Sequence, residues 1–163
     1  MTARRSLLDR MARARAANYI DLRVTTPGFE GMFVRCRALT PTELLASIER
    51  STGKDDAAIS SAVDSLVSTC VGIWEESDGK GVSPVDGFSG VLDLDTGSMG
   101  GDFPTFSSPE LSEALGLNEV TAEACVRAIL APHSGLRLMP YADALGDFST
   151  GAEENVVRTA RGN

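Results

Sequence analysis

The 163-residue chain has one histidine, His133, and three cysteines, Cys36, Cys70 and Cys125, with no CxxC among them. A zinc ribbon, a redox dithiol or a histidine metal centre needs at least two such ligands within a few residues, so none is encoded by spacing. His133 stands between Pro132 and Ser134 in an expected helix–helix connection, with no second histidine to share a metal. No GxxxxGK[ST] occurs, and Gly79-Lys80-Gly81 is too short to cradle a phosphate. No apolar run approaches the roughly 20 residues that span a bilayer. The N-terminus carries charge without the apolar stretch of a secretory signal behind it. Cys70 and Cys125 lie on apolar helical faces, where a free thiol acts as a small hydrophobe. The expected setting is a reducing cytoplasm, with no cofactor, no metal and no enzymatic activity.

Charge is present but unevenly placed. The net formal charge is −8, yet residues 1–37 hold eight Arg and no Lys against Asp9, Asp21 and Glu30, a local sum of +5. The other 126 residues hold seven basic and twenty acidic groups, a sum of −13. Phosphate binding needs a concentrated positive face, so the acidic body argues against a nucleic-acid-binding domain. The basic segment is expected to meet an acidic partner, another copy, or the chain's own acidic body.

The longest periodic stretch runs from Asp55 to Glu76. Its apolar residues Ile59, Ala62, Val63, Leu66, Val67, Cys70, Val71 and Trp74 are spaced by three and four, which predicts one long core helix. Upstream, Ser6–Ala17 is expected as a basic helix with Leu7, Leu8 and Met11 on its narrow apolar side. Alternation then predicts two strands, roughly 19–25 and 31–38, joined through Pro27-Gly28 into a β-hairpin whose outer edge is open to strand addition. Thr40-Pro41-Thr42-Glu43 is a capping box with proline at the first helical position, opening a helix to about Ser51 that buries Leu44, Leu45 and Ile48. Residues 77–106, rich in Gly and Asp, are expected as an inserted or mobile loop, or as a short hairpin with a strand near Val91, Leu92 and Leu94. Further helices are expected from Ser108 to Gly116 (burying Leu111, Ala114 and Leu115), from an Asn118 cap to Pro132 (carrying Val120), and near Met139–Leu145. A last one is expected from a Ser149 cap over 151–161.

Asp95-Thr96-Gly97-Ser98 has the form of an aspartic-peptidase turn. That chemistry needs two carboxylates sharing a proton, so a single copy requires a homodimer. The surrounding helices leave this as a distant alternative. Asp93, Asp95 and Gly97 resemble the start of a calcium loop, but Gly97, Ser98 and Pro104 stand where an oxygen ligand, glycine and glutamate are required.

Several patches together resemble the tail assembly chaperones of long-tailed bacteriophages, particularly those infecting actinobacteria. They are Pro27-Gly28-Phe29-Glu30-Gly31 with Phe33 to Thr40, then Val63-Asp64 and Leu66-Val67 leading into Thr69 to Ile73. Downstream follow Leu111 to Leu117, the Thr121 helix, and Phe148-Ser149-Thr150-Gly151. The likeness covers roughly residues 18–155, and the Gly/Asp-rich stretch departs from it. The resemblance implies a non-enzymatic protein that holds the tape-measure protein in solution and recruits tail-tube subunits. A structural virion component, such as a head–tail connector or tail-completion protein, is the alternative.

The expected architecture is a mostly helical α+β fold. Residues 1–18 form a basic N-terminal arm or helix, and residues 19–163 form one domain in which the N-terminal hairpin packs on a small helical bundle. Exposure and charge mark Phe29, Phe33, Arg35 and Arg37 on the hairpin edge, and Arg4, Arg5, Arg13 and Arg15 on the arm, as the residues expected to touch a partner.

Overall fold

The computed structural model describes residues 3–51 and 55–160, with side chains described over 7–50 and 55–151. The element order is α1 (Ala3–Ala16), β1 (Tyr19–Arg23), β2 (Met32–Arg37), α2 (Pro41–Ser51), α3 (Asp55–Thr69) and β3 (Cys70–Ser77). There follow β4 (Lys80–Val82), β5 (Val91–Asp93), β6 (Met99–Gly100), α4 (Pro109–Ala114), α5 (Ala122–Leu130), a 3-10 turn at Gly135–Leu138, and α6 (Met139–Ala160). The strands form one six-stranded antiparallel sheet in the order β1-β2-β3-β4-β5-β6. The fold is mixed α+β.

The helix expected over 55–76 ends at Thr69, and Cys70–Ser77 is a central strand. At the break, Thr69 Oγ1 and Ser68 Oγ both donate back to the Ser65 carbonyl, side-chain bonds that compete with the backbone ladder where the helix ends. The run Val71-Gly72-Ile73-Trp74 then supplies β-branched and aromatic residues suited to a sheet. Its helical spacing has a physical origin. Cys36 pairs with Cys70 while Arg35 pairs with Gly72, which leaves Val71 as the extra residue of a β-bulge. The bulge shifts the phase of the strand, so Cys70 and Ile73, three apart, both face the core.

The core lies between one face of the sheet and the helices. Leu22, Val34, Cys36 and Ile73 meet Leu66 of α3, Val126 and Ile129 of α5, and Leu145 of α6. The stretch from Ser77 is ordered as strand and turn. Ser77 pairs with Lys80 across Asp78-Gly79, both at positive φ (52° and 77°), which is a two-residue type I′ hairpin. The sheet curls at this end, and its second face builds a smaller cluster of Trp74, Leu92 and Phe103, flanked by Phe33 and Met99. A Cβ on Gly81 would stand 2.8 Å from both Leu92 Cβ and the Trp74 ring, so the lack of a side chain there lets these two residues meet.

Several boundaries and faces differ from the sequence expectation. α1 begins three residues earlier than Ser6. α2 has the expected span and capping box, with Glu43 N–H donating to Thr40 Oγ1 and Thr40 N–H to Glu43 Oε1. Leu44 packs against the core, but Leu45 and Ile48 are 59% and 54% exposed, because α2 meets α3 at the periphery through Ser47 and Ser61. In α4 Leu111 is buried and Ala114 is exposed. Thr121, not Asn118, caps α5 by accepting the Ala124 N–H, which leaves Val120 outside the helix and exposed. α6 runs unbroken through Ser149, whose hydroxyl donates to Leu145 O and accepts the Leu39 N–H. That burial makes Ser149 a tie between α6 and the β2–α2 connection. The expected end of the last helix, at residue 161, falls outside the described residues. Among the described residues no helix is long and apolar enough to cross a membrane.

Candidate interaction surface

The hairpin residues expected to touch a partner are distributed differently from a free edge. β1 and β2 pair from Tyr19↔Arg37 to Arg23↔Phe33, but β2 also pairs with β3, so β2 is an interior strand and only β1 keeps an open side. Arg35 is 3% exposed. Its Nε and Nη2 donate to the two oxygens of Asp21 at 2.9 Å each, and Nη1 donates to Gly97 O at 2.8 Å. Trp74 Nε1 donates to the same Asp21 carboxylate, and the Tyr19 ring lies against the Arg35 guanidinium. Phe33 stacks on Trp74 with centroids 4.3 Å apart. Arg35 and Phe33 therefore knit the second face of the sheet together. Phe29 is half-buried against the main core.

Arg37 is likewise engaged. Its guanidinium grips Glu43 with both nitrogens and also donates to Ala38 O and Ser68 O, tying β2 to α2 and to the end of α3. The Glu43 carboxyl is held at about 2, below its ordinary 4.5, by the Arg37 guanidinium first and the Thr40 N–H second. The unfolded chain therefore binds more protons than the folded one between about pH 4.5 and pH 2, and stability falls as pH falls through that window. Glu43 is partly exposed, so water screens the effect to about 1 kcal/mol. Glu43→Gln should lower the urea midpoint at pH 6 and flatten its decline on going to pH 3. An equal decline in both proteins would remove Glu43 from the acid response.

Of the basic arm, Arg13 and Arg15 are exposed on α1. Arg4 and Arg5 belong to the same helix but lie outside the residues whose side chains are described. Leu7, Leu8 and Met11 of α1 are 59%, 58% and 47% exposed. Below them a hollow of about 300 Å³ separates α1 from the second sheet face, with Met11, Arg15 and Ala16 on one side and Tyr19, Val71 and Met99 on the other.

The larger concavity, about 520 Å³, was not anticipated from sequence. It runs between the outer edge of β1 and the start of α6. Ile20, Arg23 and Thr25 form one wall, with His133, Arg137, Pro140 and Tyr141 opposite. Tyr141 Oη closes one end by hydrogen bonding to both the N–H and the hydroxyl of Thr25. His133, set aside in the sequence as a connecting residue, is exposed at its rim.

The remaining sequence candidates have structural work. Asp93 Oδ1 accepts the N–H groups of Asp95 and Thr96, and Gly97 N–H donates to Asp93 O, so Asp95-Thr96-Gly97-Ser98 is the turn joining β5 to β6. Cys36, Cys70 and Cys125 are free and buried. Burial pushes the Cys36 thiol up to about 11 and the Cys70 thiol to about 12, which keeps them protonated and slow to react near neutral pH. Among the described residues no group of three or more His, Cys, Asp and Glu side chains converges as a metal site. No protein-family model, curated protein or solved structure shows a significant match to this chain.

Proposed function

We propose that this chain is a non-enzymatic tail assembly chaperone that holds a phage tape-measure protein in solution in the host cytoplasm and helps bring tail-tube subunits to it. The resemblance of its sequence patches to that family supplies the class. The observation that carries the reading to a surface is α1, a basic helix whose Leu7, Leu8 and Met11 remain largely exposed, Leu8 and Met11 at the mouth of the hollow beside the second sheet face. Apolar residues three and four apart on an exposed helix are suited to laying against another helix, and a tape-measure protein presents long helical, apolar surface. Arg15, four residues after Met11, stands on that same side, where it complements acidic stretches of such a partner. The net charge of −8 keeps loaded complexes apart by mutual repulsion.

Co-expression with a tape-measure protein of a long-tailed phage tests the reading. The tape-measure protein should be soluble and co-purify only when this chain is present, and Leu8→Asp/Met11→Asp should reduce recovery at least fivefold while leaving the chain folded. Solubility and co-purification independent of this chain would end the chaperone reading.

A further inference from the structure

Two of the three free thiols, Cys36 and Cys70, stand opposite each other across β2 and β3. The bonding phase of β2 follows from its start. Val24 N–H donates to Met32 O, so Met32, Val34 and Cys36 turn their main-chain groups toward β1. Glu76 N–H donates to Gly31 O, so Gly31, Phe33 and Arg35 turn theirs toward β3. Cys36 therefore meets β3 at a non-hydrogen-bonded position. In such pairs the facing side chains lie closest and the Cα atoms stand about 4.5 Å apart. With regular pairing Val71 would face Cys36, and Cys70 would face Arg37 on the other side of the sheet. The bulge brings Cys70 into the place opposite Cys36, on the core side of both strands. A disulfide forms between Cα atoms about 4.4–6.8 Å apart, a range that such a pair meets without backbone movement.

A second observation agrees. Burial first and the neighbouring Cys36 second raise the Cys70 thiol, as two thiols within reach of one another do. Cys125 stands apart on α5, its sulfur 3.1 Å from Ser112 Oγ. We propose that Cys36 and Cys70 are a redox latch, which a small-molecule disulfide such as oxidised glutathione closes into a cross-strand disulfide. One cysteine thiolate attacks the external disulfide, forming a mixed disulfide and releasing one thiolate. The second cysteine thiolate attacks the protein sulfur of that mixed disulfide; the Cys36–Cys70 bond forms and the second external thiolate leaves. The external disulfide gains the two electrons and the two protons that the cysteines lose, and ends as two thiols. Cys36 is 0% and Cys70 9% exposed, so the exchange proceeds through local opening where α3 passes into β3. The closed loop, residues 36–70, contains all of α2 and α3, so the bond restricts the unfolded chain far more than the folded one. Under reducing conditions the pair stays a dithiol. The inference goes beyond the chaperone reading, since it concerns the core and not a partner surface.

Mass spectrometry of the full chain tests it, after incubation with oxidised glutathione and alkylation under denaturing conditions. The incubation is run in buffer and again in urea below the unfolding transition, so that access does not limit the reaction. One alkylated thiol should remain in place of three, and peptide mapping should join Cys36 to Cys70 and leave Cys125 modified. Chain oxidised in full denaturant gives the comparison, because every pairing of the three cysteines then competes. The bridged chain should melt about 10 °C higher than the dithiol form, and dithiothreitol should reverse the gain. Cys36→Ala and Cys70→Ala should each abolish that gain, while Cys125→Ala should keep it. If an alanine variant misfolds, the mass and melting point of the bridged parent still decide. Three free thiols after both incubations, a glutathione adduct without the bridge, or the mixture of pairs found in denaturant would overturn the inference. So would a bridged chain that melts lower, because strain would then outweigh the restriction of the loop. Tape-measure solubilisation is a separate readout, so the chaperone reading stands or falls independently of these outcomes.

Discussion

Leu66→Asp should leave the chain without a cooperative unfolding transition. Leu66 has no solvent exposure and sits where α3 meets the sheet and its neighbouring helices. Placing a carboxylate there leaves it without a partner, which costs several kcal/mol even after its proton affinity rises to neutralise it. Domains of this size carry about 5–15 kcal/mol in total. Leu66→Ala, which leaves a cavity and no charge, should remain folded with a loss of about 2–5 kcal/mol. Urea titration followed by far-UV circular dichroism and by the single tryptophan distinguishes the two. A folded Leu66→Asp protein that had lost partner binding would instead place Leu66 at an interface.

That helix was only partly legible in the sequence. Its first fifteen residues follow an apolar stripe that the structure buries, and Asp55 opens it. The stripe then runs on through Cys70, Val71 and Trp74 into a strand, because the bulge at Val71 gives β3 a spacing of three where a regular strand shows two. Periodicity alone cannot separate the two cases over five residues. The competing signal was the Asp78-Gly79 pair, a strong hairpin marker flanked here by Ser77 and Lys80. Taken as a hairpin, it would have made 70–77 a strand and the Gly-rich stretch a continuation of the sheet. Local chemistry was easier to read: Thr40 and Glu43 form their reciprocal cap, and Pro27-Gly28 lies in the connection between β1 and β2.

The candidate surface was less legible than the fold. Alternation placed Phe33, Arg35 and Arg37 opposite the core, and that part of the reading holds. It could not show that a second layer covers the same face, because Trp74 reaches it from a strand that the periodicity reads as helix, and Leu92 and Phe103 reach it from the stretch expected as a loop. The groove at β1 depends on contacts such as Thr25 with Tyr141, 116 residues apart. No local pattern brings those segments together; the antiparallel order of the sheet and the direction of α6 do.

Asp21→Asn should cost roughly 3 kcal/mol, a large effect for an isosteric change on an edge strand. The carboxylate accepts three hydrogen bonds from two side chains, both from Arg35 and one from Trp74. An amide offers one oxygen and turns an N–H₂ toward donors that need an acceptor, so a buried guanidinium loses its counter-charge. Asp21 itself is 30% exposed on its side chain, and water entering there keeps the loss below that of a fully buried pair. The damage should extend beyond β1, because Arg35 also holds the β5–β6 turn through Gly97 O. Expected results are a lower urea midpoint, a red-shifted Trp74 emission and faster amide exchange at Asp93 and Gly97. Asp21→Ala/Arg35→Met should be more stable than Asp21→Ala alone, since it removes the stranded charge along with its partner. A change in stability below about 0.5 kcal/mol for Asp21→Asn would show that water solvates Arg35 as well as the carboxylate does. The network would then set only the orientation of the Trp74 ring.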